Sequence, residues 1–225
     1  MKQEEILPML ARIGAIKRGL FALAKRNPDG TWNLSDTYVD KRVLSNGQHE
    51  EEMSAVCLLF AEELVKHDIS VVIGPAEGGK PFAVKTAEHM TRLTGRKVDY
   101  VFAEKGKGEA EGGFVLHPRD AKLVANRRVA VTEDILTSGD SAKRVVGLLR
   151  MLGANVVAVC AICNRGGVTA QKVGDPAVLY ALTSISLQVW PHPTCPLYGK
   201  VPVNTDVGHG AEFLREMAQN AQEKS

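Results

Sequence analysis

The chain has 225 residues, 44% of them apolar and 24% charged, a composition that excludes disorder and allows one sizeable core, alone or with a smaller appendage. A formal net charge of +2 is too small for a nucleic-acid surface, and no apolar run approaches the roughly 18 residues a membrane span needs. The opening MKQEEILPML puts acids where a signal peptide carries basic and then apolar residues, so the chain reads as cytoplasmic, with neither nucleic acid nor membrane as partner.

Residues 1–50 show no regular alternation of elements and contain the turn-rich stretch KRNPDGTWN. They read as a helical and irregular hood. Met53, Val56, Cys57, Phe60 and Leu64 then recur with helical periodicity, predicting an amphipathic helix over 53–66. The run ISVVI (69–73) predicts a strand that leads into GPAEGGKP, and a helix from about Phe82 ends at Gly95, a natural C-terminal cap. KVDYVF, RRVAVT, NVVAVCAI and AVLYALTS read as further strands, and Val145, Leu148, Leu149 and Leu152 mark one face of a helix between the second and third of these. Short β-branched runs alternating with helices predict an α/β fold, a mainly parallel twisted sheet flanked by helices. The domain boundaries that follow are a hood at 1–50, a core at 51–190 and a C-terminal extension at 191–225 packed on the core.

Cys160 and Cys163 form a C-x-x-C inside an apolar strand, where residues three apart face opposite sides, so the pair is not read as a metal or redox motif. His192, Cys195 and His209 in the C-terminal stretch match no compact ligand spacing.

Ligands of parallel sheets bind beyond the carboxyl ends of the strands, and three unusual loops fall there, at 74–81, 103–119 and 133–141. GPAEGGKP satisfies most of a P-loop but ends in Pro81 where a P-loop needs a hydroxyl for magnesium. What remains is a loop whose glycines let backbone N–H groups approach an anion, with a plain structural turn as the alternative. In VAVTEDILTSGDS, Thr137, Ser138, Gly139, Asp140 and Ser141 form a phosphate cradle at a helix start. The preceding acids, Glu133 and Asp134, would repel that phosphate, so they are read as binding sugar hydroxyls or a ligand-borne magnesium ion on the same molecule. A ligand with a phosphate, a diol and a metal-bound pyrophosphate uses all three features, and phosphoribosyl pyrophosphate is such a molecule.

At this point the chain resembles the type I phosphoribosyltransferases, whose substrate motif is an apolar strand, two acids, two apolar residues and a Thr/Ser/Gly loop. Asp140 departs from that motif, which more usually has a small neutral residue there. Within the superfamily the resemblance is closest to orotate phosphoribosyltransferase and covers most of the chain. GAIKRGLFAL, DTYVD, GPAEGGKP, AEKGKGEAEGG and CNRGG correspond to that family's N-terminal segment, next strand, pyrophosphate loop, mobile catalytic loop and the segment after a later strand. Glu104 stands where the family usually carries Arg, and Gly108 and Glu109 stand where it carries His.

The resemblance implies the type I phosphoribosyltransferase fold with an N-terminal hood and transfer of phosphoribosyl to a nucleobase, most naturally orotate. It implies catalytic roles for Asp134, Glu133, Lys105 and Lys107, and pyrophosphate contacts from Pro75, Ala76, Glu77, Gly78, Gly79 and Lys80. Arg165 and Phe21 fall at the base. Magnesium is the implied cofactor, carried by the substrate, with no direct protein site unless Asp134 touches it. A homodimer is also implied. Transfer to another base, such as a purine, and a non-catalytic sensor of phosphoribosyl pyrophosphate stay open as alternative readings; no basic helix-turn-helix supports the second.

Overall fold

A computed structural model describes residues 1–106 and 113–222. In chain order the elements are α1 (Ile6–Arg12), β1 (Ile16–Ala22), β2 (Asn33–Val39), α2 (Arg42–Ser45), α3 (Glu50–Leu64), β3 (Val71–Pro75), α4 (Lys80–Thr94), β4 (Asp99–Lys105), β5 (Phe114–Val115), α5 (Pro118–Val124), β6 (Arg128–Leu136), α6 (Asp140–Met151), β7 (Asn155–Asn164), β8 (Val178–Ser184), β9 (Val189–Pro191) and α7 (Gly210–Gln222). Two compact units result, one of residues 1–9 with 41–186, the other of 10–40 with 187–225. The sequence reading drew its boundaries at 50/51 and 190/191.

The larger unit is an α/β sandwich. Its six-stranded sheet runs in the order β5-β4-β3-β6-β7-β8, parallel except for β5, which pairs antiparallel with β4. Every residue of β3 is buried, as expected of a central strand covered on both faces, which needs apolar side chains on both and shows no alternation. Val71, Ile73, Val129 and Val131 pack into one core with Val145, Val146 and Leu149 of α6. Val72 and Ala130, equally buried, point to the opposite face by strand alternation, where α4 crosses β3, β4 and β6 and packs against α3. The helix predicted to end at Gly95 does so: that residue adopts φ 66° and its N–H closes the last turn on the Thr91 carbonyl. All four cysteines are free and buried. Among the described residues no helix is long and apolar enough to cross a membrane.

The smaller unit corrects one expectation. Residues 16–39 are a β-hairpin rather than helical and irregular: β1 and β2 pair antiparallel, and β9 adds to β2. KRNPDGTWN is largely the connection between the strands, tightened by the Asp29 carboxylate, which accepts from both the backbone and the hydroxyl of Thr31. The turn signal was present, but the alternation in β2, Leu34 and Ser35 buried and Thr37 and Val39 buried beyond them, rests on Ser and Thr, which do not register as apolar. The core here is Leu20, Ala22, Trp32, Leu34, Cys195 and Phe213.

Candidate functional site

The order of the large sheet reverses direction between β3 and β6: β4 lies to one side of β3, whereas β7 and β8 follow β6 on the other. The loops leaving the carboxyl ends of two such strands diverge and leave a crevice. A cavity of about 450 Å³ occupies it, lined by Pro75 to Gly78 after β3, Glu133 to Ala142 at the end of β6, Lys105 and Phe114 from β4 and β5, and Lys41, Arg42 and Ser45 near α2. Two of the three loops singled out in the sequence thus meet around one space, and Lys105 and Phe114 of the third reach it.

Glycine makes the β3 loop possible. A Cβ on Gly74 would stand 2.7 Å from the Gly79 carbonyl oxygen, and one on Gly79 would stand 2.5 Å from that of Thr132. At Gly78 the neighbour is the carboxylate of Asp134, whose Oδ2 lies 1.9 Å from where a Cβ would be. The absent side chain is what lets Asp134 lie against the loop.

Glu133 and Asp134 are 7% and 5% exposed, unusual for carboxylates at neighbouring positions. Burial first, and then the adjacent Asp134 carboxylate, push Glu133 up to about 8, against a smaller opposing effect of Lys41. Burial thus favours the protonated form of Glu133, which lessens the negative charge of the pair. Asp134 Oδ1 accepts from the Ile135 N–H at 2.6 Å. Its Oδ2 is buried and accepts no hydrogen bond from the described residues, although the Lys41 ammonium lies 3.2 Å away as an ion pair.

The β6 loop passes through Gly139 at φ 82°, a left-handed conformation that glycine tolerates, and a Cβ there would also meet Val168 at 2.9 Å. α6 then begins at Asp140, so its first N–H groups open toward the cavity side of the loop. The Ser138 hydroxyl donates to Asp140 Oδ2 at 2.7 Å. Arg165, which the resemblance places at the base, donates from Nε to Thr137 Oγ1 at 2.8 Å and so is tied to the 137–141 loop. Gly166 packs directly on the Thr137 carbonyl.

Of the other predicted residues, Gly79, Lys80 and Phe21 are not among those lining the cavity. Lys80 is the first residue of α4, and its ammonium is 2.9 Å from Glu104 and 3.2 Å from Glu77. Glu104 raises the Lys80 pKa most, with Glu77 adding to it. Phe21 is 1% exposed in the smaller unit and packs on Tyr38 with ring centroids 5.5 Å apart. Lys107 lies outside the described residues. Lys41 was missed, although a signal existed: the basic pair Lys41-Arg42 directly follows DTYVD.

Comparison with known proteins identifies the family. Residues 48–198 match the phosphoribosyl transferase domain family. The chain is 29% identical over 202 residues to the orotate phosphoribosyltransferase of Thermoanaerobacter sp. (strain X514), covering 88% of this chain and 92% of that one. It is 32% identical over 170 residues to that of Thermotoga maritima, covering 69% and 82%. In fold it is similar to Mycobacterium tuberculosis H37Rv orotate phosphoribosyltransferase solved in complex with Fe(III) dicitrate, with a TM-score of 0.60 at 23% identity over 81% of this chain and 96% of that one. The same enzyme solved with 5-phospho-alpha-D-ribosyl 1-diphosphate gives a TM-score of 0.56 at 21% identity, covering 81% and 95%. On the extent of these matches, the chain belongs to the phosphoribosyltransferase family and, within it, to the orotate phosphoribosyltransferases.

Proposed function

We propose that this chain transfers the 5-phosphoribosyl group from phosphoribosyl pyrophosphate to a ring nitrogen of orotate, giving orotidine 5′-monophosphate and pyrophosphate for pyrimidine biosynthesis. The observation that carries the reading is Asp134 Oδ2, a buried carboxylate oxygen at the cavity with acceptor capacity unused by the described residues, set between two loops suited to anions. A diol flanked by a phosphate and a pyrophosphate supplies the hydroxyl donors such an oxygen lacks. Orotate, rather than another base, is favoured by the names of the relatives.

In this reading the 5′-phosphate sits on residues 137–141, held by the hydroxyls of Thr137, Ser138 and Ser141 and by the N–H groups that open α6. Asp134 and Glu133 take the ribose hydroxyls. As the bond from C1 to pyrophosphate breaks, positive charge develops on the sugar ring, and the adjacent Asp134 carboxylate stabilises it. Lys105, on the pyrophosphate side of the cavity, follows the departing charge. Little covalent work falls to the protein, so positioning accounts for most of the rate.

Magnesium enters as part of the substrate. The Asp134 carboxylate, at the cavity and paired with Lys41, is the group that would contact an ion brought in on the ligand. A magnesium ion held beside Asp134 would supply charge neutralisation for the leaving pyrophosphate.

The test is incubation with phosphoribosyl pyrophosphate and magnesium against orotate, adenine, guanine and hypoxanthine, scored by pyrophosphate release. Release with orotate is expected. Release with a purine alone would overturn the choice of base, and release with none would overturn the transferase reading. The same reading carries a homodimer, for which light scattering is expected to give twice the mass of one chain.

A further inference from the structure

Lys80 presents a contradiction. It follows directly on the loop read as holding pyrophosphate, yet its ammonium is taken up by Glu104 at 2.9 Å and Glu77 at 3.2 Å and rests over the Phe102 ring, 5.7 Å from its centroid. Strand alternation explains how. Lys105 lines the cavity, so Glu104, its neighbour on β4, projects to the other face of the sheet together with Phe102. β4 runs parallel to β3 with Ala103 beside Pro75, and the Ala76 N–H donates to the Ala103 carbonyl at 2.8 Å. That register brings Glu104 alongside the β3 loop. It is also held from its other side, through pairing with Val115 of β5.

Glu77 connects this cluster to the cavity. It lines the cavity and pairs with Lys80 at 3.2 Å, so Lys80 and the cavity share a neighbour. A lysine on a flexible four-carbon stem can exchange one anionic partner for another by rotating its side chain. The backbone of α4 need not move.

We propose that Glu104 is a positioning residue that competes with pyrophosphate for Lys80, and so sets the affinity of the site at its pyrophosphate end. The inference rests on the pyrophosphate role given above to the 75–80 loop. With Glu104 in place, a pyrophosphate group must displace a carboxylate before it gains the lysine. The consequence is weaker retention of the product and easier release. Glu104 is 48% and Lys80 24% exposed at the side chain, and pairs this open to water shift equilibria by no more than roughly fivefold.

The experiment measures magnesium pyrophosphate binding by calorimetry, and pyrophosphate inhibition of turnover, in the parent chain, E104Q, K80M and the double variant. E104Q is expected to tighten pyrophosphate binding roughly three- to fivefold and to lower the inhibition constant in parallel. The gain should vanish in the K80M background, because the two residues act on one another, and should shrink at high salt. Unchanged pyrophosphate affinity in E104Q would overturn the proposal. So would an equal gain with and without Lys80, which would mark a general charge effect. Calorimetry reads pyrophosphate whatever the acceptor base, so failure of the orotate assignment leaves this result interpretable; pyrophosphate that binds none of the four proteins would instead sink the assignment of the loop.

Discussion

Asp140 is the residue at which local chemistry and the assigned ligand disagree most. A carboxylate in the first turn of α6 is favourable to the helix dipole, but it lines the cavity where a phosphate is placed. The Ser138 hydroxyl donates to it, which ties up a group the phosphate would otherwise use. Asp140→Asn should therefore lower the KM for phosphoribosyl pyrophosphate by roughly two- to fivefold, the effect of one nearby like charge in a solvated site; an unchanged or higher KM in steady-state kinetics would refute this. Glu133 leads to a second prediction at the same scale. Below about pH 4.5 its carboxyl is protonated folded and unfolded alike, while from there to about 8 the folded chain keeps a proton that the unfolded chain gives up. Its contribution to stability is thus full at low pH and is lost as pH rises toward 8. Glu133→Gln cannot ionise, so between about pH 5 and about pH 8 it should gain roughly 1–3 kcal/mol on the parent chain. Denaturant unfolding of the two proteins without substrates at both values checks it, and parallel pH dependences would contradict it.

At the scale of elements, the β3 loop and the end of β6 work as one piece. Asp134 leans into the space that Gly78 leaves, and Lys41, just ahead of α2, meets the same carboxylate at 3.2 Å. Gly78→Ala puts a methyl group where the carboxylate oxygen lies. A displacement of about an ångström at a reacting group can cost about 100-fold in rate, so kcat/KM should fall by about that factor, and near-parental kinetics would show that the carboxylate has room to move. The acids, the hydroxyls and the glycines of this site were all legible in sequence, because strand, loop and helix start are contiguous there. Lys41 was only half legible: the basic pair after DTYVD marks it, but no local pattern connects it to an aspartate 93 positions later. The ion pairs of Lys80 were hidden for a related reason: they depend on the lateral register of β3 and β4.

Over the whole molecule, two cores in two units stand where the sequence suggested a single core with a hood. Both tryptophans, Trp32 and Trp190, belong to the smaller unit, so their fluorescence reports on it alone. Phe213 is fully buried there, with Trp32 at 5.8 Å and His192 at 5.0 Å between ring centroids. Phe213→Ala is expected to cost about 3–5 kcal/mol and to lower the fluorescence-detected midpoint of unfolding; an unmoved midpoint would mean that the cluster contributes little. The same cluster accounts for the histidines of the C-terminal stretch. His192 stacks edge-on with Tyr198 and Phe213, His209 lies over Trp32 at 6.3 Å, and Cys195 is buried in the core.

The sequence by itself determined the alternating α/β architecture, and it singled out the glycine-rich loop after β3, the hydroxyl-rich loop after β6 and the acidic pair, which line one cavity. Each of these is written in residues adjacent along the chain, where periodicity, glycine and hydroxyl spacing act locally. Only the tertiary structure decided that β3 and β6 are neighbours at the reversal of strand order, that Lys41 reaches Asp134, and that Glu104 holds Lys80. It likewise joined residues 10–40 to 187–225 through β2 and β9. Such contacts depend on which distant segments share a sheet edge or a register, and burial and pairing across the fold set that choice, beyond the reach of any local pattern.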